Sequence, residues 1–169
     1  ETANAVRART RRTPRVGVIL GSGLNSVADA IKDPDVIPFG DLPHFPASTV
    51  VGHKGRLLVG ELEKQTVLVM QGRVHFYEGY SMAEVTLPVR VMQRLGLQTL
   101  IVTNAAGGVN PEFQPGDVML ITDHLNFLGM MGSNPLMGPN YDEIGTRFPD
   151  MSQAYDRQLA QEARQVARD

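Results

Sequence analysis

Short apolar runs separated by turn-forming residues set the rhythm of this chain. Val16, Val18, Ile19 and Leu20 make the first run. Similar runs follow at 56–60, 66–70, 98–103 and 118–122. Each is four to six residues long and bounded by glycine, proline or polar residues, the pattern of strands. Those at 16–20 and 98–103 read as buried, and 48–51 as a shorter extended piece. Between them the period changes to that of a helix. Leu24, Val27, Ala28 and Ile31 fall at i, i+3, i+4, i+7. Ser81 and Glu84 have capping-box spacing, followed by Val85, Val89, Met92 and Leu95 on one face and Gly96 as a stop. Pro88 inside that pattern predicts a kink or a new start. Ser152 is placed to cap a last helix with Tyr155, Leu159, Ala163 and Val166 on its apolar face. Prolines 34, 38, 43 and 46 make 34–46 a loop with at most a short extended piece. Residues 129–150 have no period and repeat Gly, Pro and Asn, which suits a lid or an interface. Strand, helix, several strands, helix, strand, helix is the order of an α/β fold.

Composition narrows this picture. The length of 169 residues suits one domain with a real core. Five arginines and little apolar content make 1–15 a flexible, solvated basic arm, leaving 16–169 as the folded part. The net charge of -2 gives no reason to expect a nucleic-acid partner. No apolar run is long enough to span a bilayer, so no membrane partner is expected. No secretory segment is present in the residues given. The absence of cysteine excludes disulfides and thiolate metal sites and fits a cytoplasmic protein. The four histidines show no H-x-x-x-H pairing, so no metal is expected. The chain opens without Met and stops at Asp169 directly after a helical pattern, so it reads as incomplete at both ends.

Candidate chemistry centres on 71–80, Gln-Gly-Arg-Val-His-Phe-Tyr-Glu-Gly-Tyr. If the strand before it continues, Arg73, His75 and Tyr77 share one face at steps of about 6.5–7 Å, and Val74 and Phe76 point into packing. A cation, an imidazole and a phenol in a row suit a ligand with an anion beside a polar ring. The solvated face of an ordinary strand is the plainer alternative. Gly21-Ser22-Gly23 joins a strand to a helix, where free amides and a helix dipole receive phosphate. It is neither a dinucleotide fingerprint, since Ser26 stands where the third glycine belongs, nor a Walker loop, nor a nucleophile elbow. A tight turn is its alternative. Asn104-Ala-Ala-Gly-Gly108 follows another strand with small residues that let a ligand approach the backbone. His53 sits in a glycine-flanked turn, and Phe148 is an isolated apolar residue placed to cover a site. Amides, Ser22, Arg73 and His75 around one point would make an oxyanion receptor, with phosphate the first candidate.

Gly21-Ser-Gly-Leu24, Gly52-His-Lys-Gly-Arg56, residues 70–80, Thr103-Asn-Ala-Ala-Gly-Gly108, Gly116-Asp117, Asp123-His124, Arg147-Phe-Pro149 and 152–156 together resemble the trimeric purine nucleoside phosphorylases. The resemblance runs from Val16 to about Arg157. It implies a mixed central β-sheet, partly barrel-like and flanked by helices, as the N-terminal portion of one domain whose C-terminal part lies beyond Asp169. It implies phosphorolysis of purine (deoxy)ribonucleosides to free base and (deoxy)ribose 1-phosphate, in purine salvage. Inorganic phosphate is then a co-substrate and no cofactor is needed.

Carried over by position, Ser22, His53, Arg73, His75 and the Ala105 N–H would hold phosphate, with Arg73 and His75 as the catalytic pair. Tyr77, Asn104, Ala105, Ala106, Gly107 and Phe148 would line the nucleoside site. Phe148 would reach the ribose of a neighbouring subunit, so a homotrimer is implied. The donors to the leaving purine would lie beyond Asp169, so this chain alone is expected to turn over little substrate. Methylthioadenosine phosphorylases share the fold but differ at the Gly-Ser-Gly and Asn-Ala-Ala-Gly-Gly loops. A nucleoside hydrolase, a dinucleotide enzyme and a phosphate- or nucleoside-binding module without turnover are the other readings.

Overall fold

A computed structural model describes residues 1–47 and 54–168. Their contacts gather into two compact units, 1–106 and 107–169.

The first unit is built on five strands: β1 (Val16–Leu20), β2 (Lys32–Pro38), β3 (Arg56–Leu62), β4 (Gln65–Gln71) and β5 (Thr99–Val102). Their order is β2-β3-β4-β1-β5. β1 lies parallel to both β4 and β5, while β3 is antiparallel to β2 and β4. The sheet is therefore mixed, as expected. It is open, with β2 and β5 as its edges, so the partly barrel-like form is not found. Closure needs a continuous ring of paired strands, and among the described residues the two edges do not pair.

Alternation along the strands sorts their side chains into two cores. Ile19, Leu57, Val59, Leu68 and Met70 face one side, with Val6, Val91 and Met92 from α1 (Thr2–Arg7) and α3 (Met82–Leu95). Val18, Leu20, Leu58, Val67 and Val69 face the other, with Ala28 from α2 (Asn25–Asp29) and Ile31 just beyond it. Helices thus cover both faces. Burying each large aliphatic side chain contributes about 1.5–3 kcal/mol.

Several local expectations are corrected. Residues 1–15 are not a solvated arm. Thr2 and Val6 of α1 are buried, and the Thr2 hydroxyl donates to the Pro43 carbonyl at 2.7 Å. Arg7 donates to the Arg94 carbonyl, Arg9 to that of Asp41, and Arg12 pairs with Asp35. Arg7, Arg9 and Arg12 thus bond to groups elsewhere in the fold while staying exposed, and buried Thr2 and Val6, with Ala3 and Ala5 packed against the core, dock the helix. Residues 32–38 form a strand despite Pro34 and Pro38. β2 is an edge strand with a register shift between Lys32 and Asp35, where a missing N–H is tolerated.

α2 is only five residues long. α3 has the predicted Ser81–Glu84 box and a left-handed Gly96 stop, and it runs unbroken through Pro88. Its buried face is Pro88, Val91 and Met92, with Leu87 and Leu95 packed beside them. Val89 is instead exposed. The hairpin between β3 and β4 turns on Glu63 and Lys64, both at positive φ, which matches the twist of the paired strands.

β5 forms where expected but is not buried: Leu100, Ile101 and Val102 are all exposed. It is an edge strand in this sheet, paired only with β1 among the described residues.

The second unit holds α4 (Phe127–Met130), α5 (Arg157–Val166) and turns. Residues 118–122 are not a strand, because no strand pairs with them among the described residues. The last helix is capped by Asp156, not Ser152, through a 2.9 Å bond from Leu159 N–H. Leu159 and Val166 on that helix are exposed. No helix among the described residues is long and apolar enough to cross a membrane.

Candidate functional site

β1, β4 and β5 run in one direction, so their C-terminal ends fall on one edge of the sheet. In register, Leu20 lies beside Gln71 and Ile19 beside Val102. The next residues of each strand are the three segments singled out above: Gly21-Ser22, Gly72-Arg73 and Thr103-Asn104. Ligands of open α/β sheets bind at such strand ends.

Arg73 ties these ends together. Its guanidinium donates to the Leu20 carbonyl at 3.3 Å and to the Thr103 carbonyl at 3.1 Å. A half-buried permanent cation therefore rests against the backbone carrying Ser22 and Asn104. The two loops also touch each other. A Cβ on Gly21 would meet the Asn104 Cα at 2.6 Å and the Thr103 carbonyl oxygen at 2.8 Å, so only glycine fits. Ser22 itself is exposed at this edge.

The face shared by Arg73, His75 and Tyr77 does not arise from strand alternation. β4 ends at Gln71, Gly72 takes a φ of 98°, and residues Phe76–Glu78 form a 3-10 turn. Val74 is buried as expected, but Phe76 is 40% exposed and does not serve as packing. His75 and Tyr77 are brought together by stacking, with ring centroids 4.7 Å apart and planes 16° from parallel.

Glu78 is a site residue that strand reasoning missed. Its carboxylate accepts from the His75 backbone N–H and faces the His75 Nδ1, both at 2.8 Å. The Glu78 side chain is 3% exposed and that of His75 23%. With Nδ1–H donated to the carboxylate, His75 donates from Nε2 only when the ring carries both protons. The signal was a carboxylate three residues after the histidine, the spacing of a capping box.

A second missed network lies beneath the loop. Gln71, 1% exposed, accepts from Arg56 Nε at 2.8 Å and donates to Asn25 Oδ1 at 2.9 Å. It links β3 and β4 to the start of α2. Because α2 is so short, its dipole adds little for an anion. For an anion at this edge, the attraction would come from loop amides and Arg73.

Asn104, Ala105 and Ala106 are exposed at the end of β5. The Asn104 amide donates to the Ala105 carbonyl at 3.3 Å. Gly107 and Phe148 belong to the second unit. Phe148 is 84% exposed there, with the Arg147 guanidinium carbon 5.8 Å from its ring centre. His53 lies outside the described residues. Among the described residues, no group of three or more His, Asp or Glu side chains could hold a metal ion.

The family model described as the phosphorylase superfamily matches residues 15–169. The chain belongs to the phosphorylase superfamily. Within that superfamily, it is 59% identical over 157 residues to purine nucleoside phosphorylase 1 of Bacillus subtilis (strain 168), covering 93% of this chain and 57% of the relative.

Two purine nucleoside phosphorylase structures from Schistosoma mansoni superpose with a TM-score of 0.91. One is isoform 2 in complex with cytosine and ribose-1-phosphate, at 46% identity, covering 99% of this chain and 59% of that one. The other is in complex with inosine, at 47% identity, covering 99% and 58%. This superfamily chain thus spans somewhat more than half the length of each of these three relatives.

Proposed function

We propose that the protein containing this chain is a purine nucleoside phosphorylase. It cleaves the N-glycosidic bond of purine (deoxy)ribonucleosides with inorganic phosphate, releasing free base and (deoxy)ribose 1-phosphate for purine salvage. The observation that carries this reading is the Arg73 guanidinium bound to carbonyls at the ends of both β1 and β5. It gathers the Ser22 and Asn104 loops around one cation. The names of the relatives, and their complexes with ribose-1-phosphate and with inosine, support the same reading.

The chemistry follows from the residues. Phosphate is already an anionic nucleophile, so no side chain must activate water. Ser22, His53, Arg73, His75 and the Ala105 N–H hold it beneath C1′. Tyr77, Asn104, Ala105, Ala106 and Gly107 line the nucleoside. A phosphate oxygen bonds to C1′ as the bond to the purine nitrogen breaks, and that electron pair leaves with the base, which takes up a proton. Placement and the phosphate charge beside an oxocarbenium-like carbon lower the barrier. No metal or organic cofactor takes part. The assembly is a homotrimer in which Phe148 reaches a neighbour's ribose, and the compartment is the cytoplasm.

The test is inosine consumption with and without phosphate, with ribose 1-phosphate as the product followed. Turnover should require phosphate. Arg73→Ala should abolish it, and Lys64→Ala, in the β3–β4 hairpin turn, should leave it unchanged. Consumption that ignores phosphate would mean a hydrolase. A phosphate-induced rise in melting temperature without product would mean a binding module. The 169 residues alone should show little turnover, and robust turnover by them would contradict this assignment of roles.

A further inference from the structure

The rung that should close the β1–β5 ladder is altered. Thr103 N–H donates to the Ile19 carbonyl at 3.0 Å, as a parallel pair requires. The next rung of that pattern would run from Gly21 N–H to the Thr103 carbonyl. Instead, Gly21 N–H donates to the Thr103 hydroxyl at 2.8 Å. That hydroxyl in turn donates to the Ile19 carbonyl at 3.0 Å. The Thr103 carbonyl accepts from Arg73 at 3.1 Å. The side chain has taken over the backbone's acceptor role, and the carbonyl so released holds the guanidinium.

We infer that Thr103 is a positioning residue for the phosphate site. Its hydroxyl replaces its own carbonyl in the ladder, which sets the spacing of the Gly21-Ser22 and Asn104-Ala105 loops and leaves that carbonyl to orient Arg73. The inference rests on the phosphate-site reading above. Valine has nearly the same shape but no hydroxyl. In Thr103→Val, the Gly21 N–H either loses its partner or takes the carbonyl from Arg73. A buried N–H rarely stays unpaired, so the second course is favoured, and Arg73 loses its hold on the end of β5 while keeping the one to the Leu20 carbonyl. Serine keeps the hydroxyl and loses only a methyl group.

The experiment titrates inorganic phosphate into the protein containing this chain by calorimetry, for the parent, Thr103→Val, Thr103→Ser and Arg73→Ala. Amide hydrogen exchange at Gly21 is followed in parallel. Thr103→Val should weaken phosphate at least about tenfold, and Thr103→Ser should stay within about threefold of the parent. Gly21 should remain protected in Thr103→Ser. If Thr103→Val binds as the parent does while Arg73→Ala does not, the positioning role is wrong and the phosphate site stands. If Thr103→Ser is as weak as Thr103→Val, or Gly21 exchanges freely in it, Thr103 acts through packing and the inference falls. Should Arg73→Ala bind phosphate normally, the phosphate-site reading fails and takes this one with it. If Thr103→Val does not fold, Thr103→Ala takes its place, and Thr103→Ser still overturns the inference by losing phosphate affinity or Gly21 protection.

Discussion

Replacing Gly21 with alanine tests the geometry of the site at its tightest point. The added carbon would lie 2.6 Å from Asn104 Cα, 2.8 Å from the Thr103 oxygen and 2.9 Å from Asn104 N. All three are backbone atoms, so no side chain can swing away. Non-bonded carbons settle at about 3.5–4.0 Å, which leaves a shortfall of about 1 Å that must come from parting the ends of β1 and β5. Overpacking of this kind costs about 1–3 kcal/mol. A displacement of about 1 Å among groups that bind a reactant costs about a hundredfold in function. Urea denaturation should show the stability loss, and phosphate titration should show affinity falling by one to two orders of magnitude. Gly23→Ala is the control. Its Cβ would meet nothing within 4 Å, but its φ of +91° is unfavourable for alanine. It should lose about 1–2 kcal/mol of stability and far less phosphate affinity, because it does not wedge the loops apart. If Gly21→Ala matches the parent in both measurements, the two loops are not in contact as described and the proposed site loses its frame.

Three further outcomes are expected. Glu78→Gln keeps an acceptor of the same shape but removes the charge facing His75 Nδ1, so phosphate affinity should drop about tenfold with little change in melting temperature; unchanged affinity would leave Glu78 a purely local cap. Ser81→Ala should cost about 1 kcal/mol in denaturation, since Ser81 accepts from Glu84 N–H at the start of α3. The Glu84 carboxyl is held below its ordinary range by hydrogen bonds from the Ser81 hydroxyl and then the Ser81 backbone N–H. Its stabilising effect is therefore present above the pKa of the unfolded chain and is lost as pH falls through the lowered folded value. Glu84→Gln should remove that acid-side loss, as read by the pH dependence of the denaturation midpoint.

Features that depend on near neighbours were legible from residue order alone. The capping box of α3, the Gly96 stop, the apolar strands β1, β3 and β4, and the glycine loops after β1 and β5 all rest on contacts a few residues apart. The 71–80 motif was legible as chemistry, though its shape was not. A left-handed Gly72 and a 3-10 turn, rather than strand alternation, bring His75 and Tyr77 together. What only the tertiary structure decided depends on distant partners. Buried Thr2 and Val6, with Ala3 and Ala5 against the core, turn the arginine-rich start of the chain into a docked helix. An edge position lets Pro34 and Pro38 sit in a strand. The hydroxyl of Thr103 meets Gly21 across 82 residues, and Arg73 meets Leu20 across 53. Local sterics and hydrogen bonding act on each residue in order, so sequence displays them. Which carbonyl a guanidinium reaches is set only when separate strands align, and no local pattern encodes that register.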